Sequence, residues 1–325
     1  MRLHLDTDFA GDPDDACALA MLLGWPRIDL IGITTTADPD GRRAGYVADF
    51  LEIAGRRDIP IASGAAESLT TSRPMGDLPD GAAHWGRRVT ARPSPPGVEL
   101  ELLDRSIERG ATIVCIGPCT NLAVLEARRP GRLAQATVVI MGGWVYPPAP
   151  GLPAWGPEMD WNIQRDTKAA IMLADRARLT MVPLPIALKA FIREAHLDRL
   201  AASGPLGVLL ARQTKAHAVE HRMAEIGRTN SCLPDDLLNF HYDPVACAVA
   251  LGWRGALVEE LSLRPVFERG GALRFEPHCN GRRIRLVADI DGGQFAQTWI
   301  SMVEAAQSCL HALPPVTQLG GGASG

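Results

Sequence analysis

Two short stretches, residues 111–117 (ATIVCIG) and 136–143 (ATVVIMGG), restrict this chain more than anything else in it. Each is an unbroken apolar run, rich in β-branched residues and closed by glycine, and neither alternates between apolar and polar positions. A strand with one wet face alternates; a strand that does not must be covered on both faces, which is the habit of a parallel sheet sandwiched by helices. Between them, CTNLAVLEARR at 119–129 has the spacing of a connecting helix. A β-α-β unit of this kind predicts an α/β fold with a mostly parallel central sheet and helices on both faces, Rossmann-like in its winding.

The rest of the first half repeats the alternation. RLHLDT (2–7), IDLIGITTT (28–36) and IPIASG (59–64) read as strands. PDDACALAMLLG (13–24) and RRAGYVADFLEIAG (42–55) read as helices, the first opened by proline and acids in its first turn. Residues 66–98 and 144–162 are long Pro/Gly-rich loops, a length that in compact domains usually serves function. Further on, LTMVPLPIAL (179–188) suggests a strand, residues 194–228 are helical in pattern throughout, and PVACAVALGW (244–253) is a helix. ALRFEPHC (272–279) and RRIRLVADI (282–290) suggest a late hairpin before a final helix. With no repeat and no shift in composition, the expectation is one domain over residues 1–318, a helical lid at about 194–238, and a flexible Gly-rich tail at 319–325.

In the 325-residue chain 46% of residues are hydrophobic, enough for a large core, and a net charge of −4 gives no reason to expect nucleic acid or an anionic membrane as partner. No apolar run has the roughly 20 residues needed to span a bilayer, and the N-terminus lacks a signal-like apolar segment, so a cytoplasmic protein is expected. Seven cysteines, an odd number scattered through apolar segments, predict free thiols and no disulfide frame.

Chemistry concentrates at residues 6–15, DTDFAGDPDD, where five aspartates crowd the end of the first strand. One or two would cap a helix; five repel one another unless a cation sits among them. Hard cations such as Ca²⁺ take six to eight oxygens, and a glycine-containing turn folds Asp8 and Asp15 toward each other. Ligands in open α/β sheets bind beyond the carboxyl ends of strands, so this cluster, TADPD (36–40), GPCTN (117–121) and the loop after residue 143 should converge in one crevice.

The order of these pieces resembles the nucleoside hydrolase family of inosine/uridine-preferring N-ribohydrolases. Asp6, Asp8, Gly11, Asp14 and Asp15 match its opening signature, and IGPCTNLAVLE, VVIMGGW, DWNIQRD and HYDPVACAVAL follow in the family's order through about residue 250. Any one motif is weak; five in sequence are specific. The resemblance implies hydrolysis of the N-glycosidic bond of a ribonucleoside with Ca²⁺ as cofactor. The metal would be held by the side chains of Asp8, Asp15 and Asp243 and by the carbonyl of Ile116. Asp8 would also take the proton of the attacking water. Asp14, Asp160 and Asn162 would hold the ribose and Met141 would line its pocket, while a polar role after the second strand falls to Asp38 or Asp40. It also implies a homodimer or homotetramer and a small nucleoside as the only substrate class.

The departures from the family pattern gather on the base side. Tyr242 stands where many members have His directly before the metal-binding Asp, with His241 one residue earlier; either is a candidate for protonating the leaving base. His217 and His221, in the lid pattern HAVEH, are further candidates, and that pattern also matches an inverted zinc-protease motif that lacks a third ligand. His84 and the rings of Trp144, Trp155 and Trp161 are either pocket residues or ordinary packing. Two other readings compete: a haloacid-dehalogenase-like phosphatase using DTD, for which CLPDD (232–236) is a poor acidic partner, and a non-catalytic nucleoside- or sugar-binding homologue.

Overall fold

The computed structural model describes residues 1–76, 78 and 84–311; the tail expected at 319–325 lies outside them. A nine-stranded sheet forms the centre, ordered β10-β9-β11-β6-β5-β4-β1-β2-β3. Its strands are β1 (Arg2–Thr7), β2 (Asp29–Thr35), β3 (Ile61–Ser63), β4 (Thr112–Cys115), β5 (Thr137–Met141), β6 (Arg178–Val182), β9 (Ala256–Phe267), β10 (Leu273–Pro277) and β11 (Arg282–Ile290). Every pair from β3 across to β11 is parallel, and β9 is antiparallel to both β10 and β11.

The run β3-β2-β1-β4-β5-β6 is the doubly wound order, so winding reverses between β1 and β4. At that switch point Asp6 lies opposite Cys115, and the Ile116 amide donates to the Asp6 carbonyl at 2.8 Å. Asp8 and Ile116 thus leave the sheet side by side, at the edge where such sheets take ligands.

Helices cover both faces, as the apolar strands require. Against one face pack α1 (Asp14–Gly24), α2 (Arg42–Ile53), α11 (Tyr242–Ala250) and α12 (Gly292–His311), through a core that includes Leu19, Phe50, Val245 and Trp299. Against the other lie α3 (Val98–Glu108), α4 (Thr120–Arg128), α5 (Trp161–Arg165) and α6 (Thr167–Arg176), built on Leu103, Leu122, Ile163 and Leu173. The mostly parallel α/β expectation holds.

Three local expectations change. Residues 179–188 are not one strand: after β6 the backbone turns at Pro183 into the short helix α7 (Leu184–Ala187), as proline at a first helical turn favours. The late hairpin is a three-stranded element, because β9, whose alternation is masked by charged residues on an exposed face, separates β10 from β11. The segment after residue 194 is three helices, α8 (Leu197–Ala202), α9 (Pro205–Glu220) and α10 (Met223–Thr229), broken at Gly204 and at Arg222, which adopts a left-handed conformation (φ 54°). The insertion stands on a two-stranded antiparallel stem, β7 (Phe191–Arg193) with β8 (Leu237–Phe240), which brackets the helices and fixes where they leave and rejoin the body.

Candidate active site

The strand end and the first turn of α1 hold the acids in place. Asp6 points back into the sheet, where its carboxylate accepts from Thr34 Oγ1 at 2.5 Å and Asn121 Nδ2 at 2.8 Å. Asn121 also donates to the Thr35 carbonyl and accepts from the Ala65 amide, so a single amide on α4 ties β1, β2 and the residues after β3 together. Even so supported, burial raises the Asp6 carboxyl to about 6.

On the solvent side of that support, Asp14, Asp15 and Asp243 converge, with one carboxylate oxygen from each lying within 4.8 Å of the others. All three are buried. Burial, then repulsion by neighbouring carboxylates, pushes each well above the usual carboxyl range. Asp8 is raised as well, chiefly by burial, while Arg43 and the Trp161 indole oppose the rise. Arg43 is the nearby cation, but its guanidinium donates to the backbone carbonyls of Asp8, Phe9 and Ala37. Among the described residues no ion pair reaches Asp14, Asp15 or Asp243; the donor to Asp15 is the hydroxyl of Thr7. The buried Thr36 hydroxyl, beside Gly117, also has no partner among them.

These observations test the fit of a hard cation. A dry cluster of carboxylates is costly unless paired or metal-bound, and all-oxygen donors suit Ca²⁺ or Mg²⁺ better than soft metals. The donor set fits. Ile116, whose carbonyl already accepts Asn162 Nδ2 at 2.9 Å, has a second lone pair to offer. Close approach here depends on glycine, since a Cβ at Gly117 would lie 2.8 Å from both the amide nitrogen and Oδ1 of Asp8.

The opposite wall comes from β5 and α5. Asn162 Nδ2 bridges the carbonyls of Ile116 and Met141, at 2.9 and 3.1 Å. Asp160 caps α5 through Ile163 N at 3.2 Å and also accepts from Gly143 N at 2.5 Å; burial lifts its carboxyl to about 7. Trp161 Nε1 donates to Asp8 Oδ2 at 3.1 Å, and Arg165 Cζ lies 3.5 Å from the centre of that indole. The sequence left Trp161 as either a pocket ring or ordinary packing, and the indole–carboxylate contact leaves no signature in spacing.

Two expected site residues are placed elsewhere. Asp38 commits both carboxylate oxygens to its own turn, accepting from Thr35 Oγ1, Arg43 N and Ala44 N at 2.6, 2.7 and 3.1 Å, so it caps α2. His241 precedes Asp243 in sequence, but its ring lies 4.4 Å from Trp299 and 5.8 Å from Phe295 in the core, with neither nitrogen hydrogen-bonded among the described residues. Burial drives its pKa down to about 3. Tyr242 points the other way, packing on Phe240 at 5.5 Å, and its phenol is raised by burial and then by Asp12, Asp14 and Asp243.

Asp12 links the acidic loop to β8 and α9. It accepts from Asn239 on β8, and its Oδ2 lies 3.5 Å from Nε2 of His217 on α9. His217 stacks on His221 at 4.2 Å, and His84 Nε2 meets Glu220 Oε2 at 3.0 Å, so a second loop is docked on the same helix. HAVEH is therefore a helix surface that meets one loop carboxylate, Asp12, and one loop imidazole, His84, not a zinc motif.

Comparison with known proteins agrees with this geometry. The family described as inosine-uridine preferring nucleoside hydrolase matches residues 3–301. The pyrimidine-specific ribonucleoside hydrolase RihA of Salmonella agona is 30% identical over 246 residues, 72% of this chain and 78% of that protein. RihA of Citrobacter koseri is 31% identical over 241 residues, 70% and 75% of the two chains. Among solved structures, a purine-preferring ribonucleoside hydrolase from Gardnerella vaginalis superposes with a TM-score of 0.77 at 19% identity, covering 95% of this chain and 100% of its own. The plant nucleoside hydrolase PpNRh1 gives 0.77 at 23% identity, covering 94% and 99%. With the acidic crevice at the switch point and a family match over nearly its whole length, the chain belongs to the inosine-uridine preferring nucleoside hydrolase family and is a hydrolase of N-glycosyl bonds.

Proposed function

We propose that this hydrolase cleaves the N-glycosidic bond of a ribonucleoside to free base and ribose, and that its cation is Ca²⁺, held by Asp8, Asp15, Asp243 and the Ile116 carbonyl. The carrying observation is the buried convergence of Asp14, Asp15 and Asp243 without an ion-pair partner among the described residues. When bound, such a cation supplies Lewis acidity toward sugar hydroxyls and water.

The protein's own groups do the rest. Asp8 takes the proton from the water that attacks C1′, while the Trp161 indole, donating to Oδ2, orients the carboxylate. Asp14 accepts from a ribose hydroxyl. Asn162, with its amide nitrogen committed to two carbonyls, presents Oδ1 to the sugar, while Asp160 and Met141 close the far wall. Carboxylates beneath the ring favour the positive charge that builds on the sugar as the bond breaks. Tyr242 faces the base. The protein acts as a homodimer or homotetramer, which light scattering of the purified chain checks. No helix among the described residues is long and apolar enough to cross a membrane.

The phosphatase reading loses support because DTD is used differently, Asp6 being turned into the sheet. A reducing-sugar assay over purine and pyrimidine nucleosides, with chelator and with Ca²⁺ restored, tests the proposal. Ribose release that stops with chelator and returns with Ca²⁺ is expected. Release indifferent to chelation rejects the cation, and tight nucleoside binding without ribose release favours the binding-only homologue.

A further inference from the structure

The wall that the hydrolase reading assigns to the base is aromatic and acidic, and the imidazoles nearest it among the described residues are stacked or paired. Tyr242 packs on Phe240, which in turn meets Trp155 edge-on at 5.7 Å. Asp12 stands at the same side, about a third exposed, with Tyr242 within its electrostatic reach. Among the described residues, the histidines of the site, its backing and the helix α9 are each stacked or paired. His241 is stacked into the core, and the ring nitrogens of His4 are bonded to Ser106 and Thr34. His84 is turned to Glu220, and His217 presents Nε2 to Asp12 with its face against His221.

A neutral nucleobase is a poor leaving group until it gains a proton, and a positioned acid is worth about 10²–10⁴ in rate. A base that is already cationic needs no such proton, and it is attracted to aromatic faces and to carboxylates. From this wall we infer that the preferred substrates are ribonucleosides with a positively charged base, an N-ribosylpyridinium or an N7-alkylated purine ribonucleoside. The inference rests on the hydrolase reading above. In the reaction the C1′–N bond breaks and its electron pair passes to the ring nitrogen, cancelling the positive charge. The water oxygen bonds to C1′, and the water's proton goes to Asp8. The products are a neutral heterocycle, ribose and one proton, so no acid is consumed at the base.

The experiment measures kcat/KM of the full-length, Ca²⁺-supplemented protein for ribosylpyridinium, 7-methylguanosine, guanosine, inosine and uridine, and repeats it with Y242H. The cationic substrates should exceed the neutral ones by at least about 100-fold. Y242H should raise the neutral nucleosides by about tenfold or more, narrowing that gap. Neutral and cationic nucleosides cleaved within a fewfold of each other overturn the inference and leave the hydrolase reading standing. So does efficient cleavage of the neutral substrates that H217A alone abolishes, since His217 would then be the acid. Hydrolysis of none of the five overturns both.

Discussion

The two sides of the crevice are built by different means. On the side proposed to take the sugar, Asp8, Asp14, Asp15 and Ile116 stand at strand ends and a helix start, and they are backed by Asp6, Thr34 and Asn121 inside the sheet. On the side proposed to take the base, Tyr242, Trp155 and His217 come from a helix end, a loop and the helix α9, held by ring contacts and by imidazole–carboxylate pairs. The first side is polar, buried and referenced to the sheet; the second is aromatic with the Asp12 carboxylate at its edge, and is referenced to the segment between β7 and β8. A fold that separates them in this way can alter its substrate without disturbing its sugar chemistry.

The largest expected effect lies on the sugar side. Asp8→Asn keeps the shape and the indole contact but removes the base, and it should lower kcat by about 10²–10⁴ with little change in stability. Steady-state ribose release beside a denaturant curve checks this. An equal loss from a base-side change such as Trp155→Ala would show that the two sides are not separable.

That asymmetry also governs what could be read in advance. The apolar runs at β4 and β5 can only be central strands, and Asp14, Asp15 and Asp243 sit at helix starts where charge is visible in the sequence. Asn121 appeared only as part of a motif, because a side chain that joins three strands does so through tertiary geometry. Asp38 and His241 were misplaced for a common reason. Both are the right residue type in a stretch expected to reach the site, but a capping turn claims Asp38 and the helix N-terminus swings His241 into the core. The lid failed in detail because Gly204 and Arg222 break a pattern whose periodicity runs through them.

The next effect concerns the backing of the sugar side. Asn121→Ala removes both amide donors and one acceptor, and leaves Asp6 buried with less support. A loss of about 3 kcal/mol in denaturant stability is expected, the range for breaking a buried polar network. A loss under about 1 kcal/mol would mean that Asp6 is held adequately by Thr34 and the Cys115 thiol, and that the side proposed for the sugar is less rigid than its hydrogen bonds suggest.

The smallest effect is one of pH, and it belongs to the metal-free protein. Carboxyls raised in the folded state, Asp160 to about 7 and Asp14, Asp15 and Asp243 higher than usual, bind more protons folded than unfolded once pH passes the ordinary value near 4. Stability therefore falls as pH rises through that window, by about 1.4 kcal/mol per pH unit for each group still protonated only when folded. Buried His4, lowered to about 3 by burial, has the opposite sign: unfolded it takes up a proton below its ordinary value near 6.5, so its contribution grows with pH from about 3 to 6.5 and is constant above. The two trends overlap in acid and separate above pH 6.5, where only the carboxyls still act. In chelator, denaturation midpoints should fall between pH 6.5 and 8. Saturating Ca²⁺, which binds the ionised carboxylates, should flatten that slope and raise stability by about 2.7 kcal/mol at a hundredfold excess over Kd. A slope unchanged by Ca²⁺ would place the cation away from these carboxylates and erase the distinction between a cation-binding sugar side and an aromatic base side.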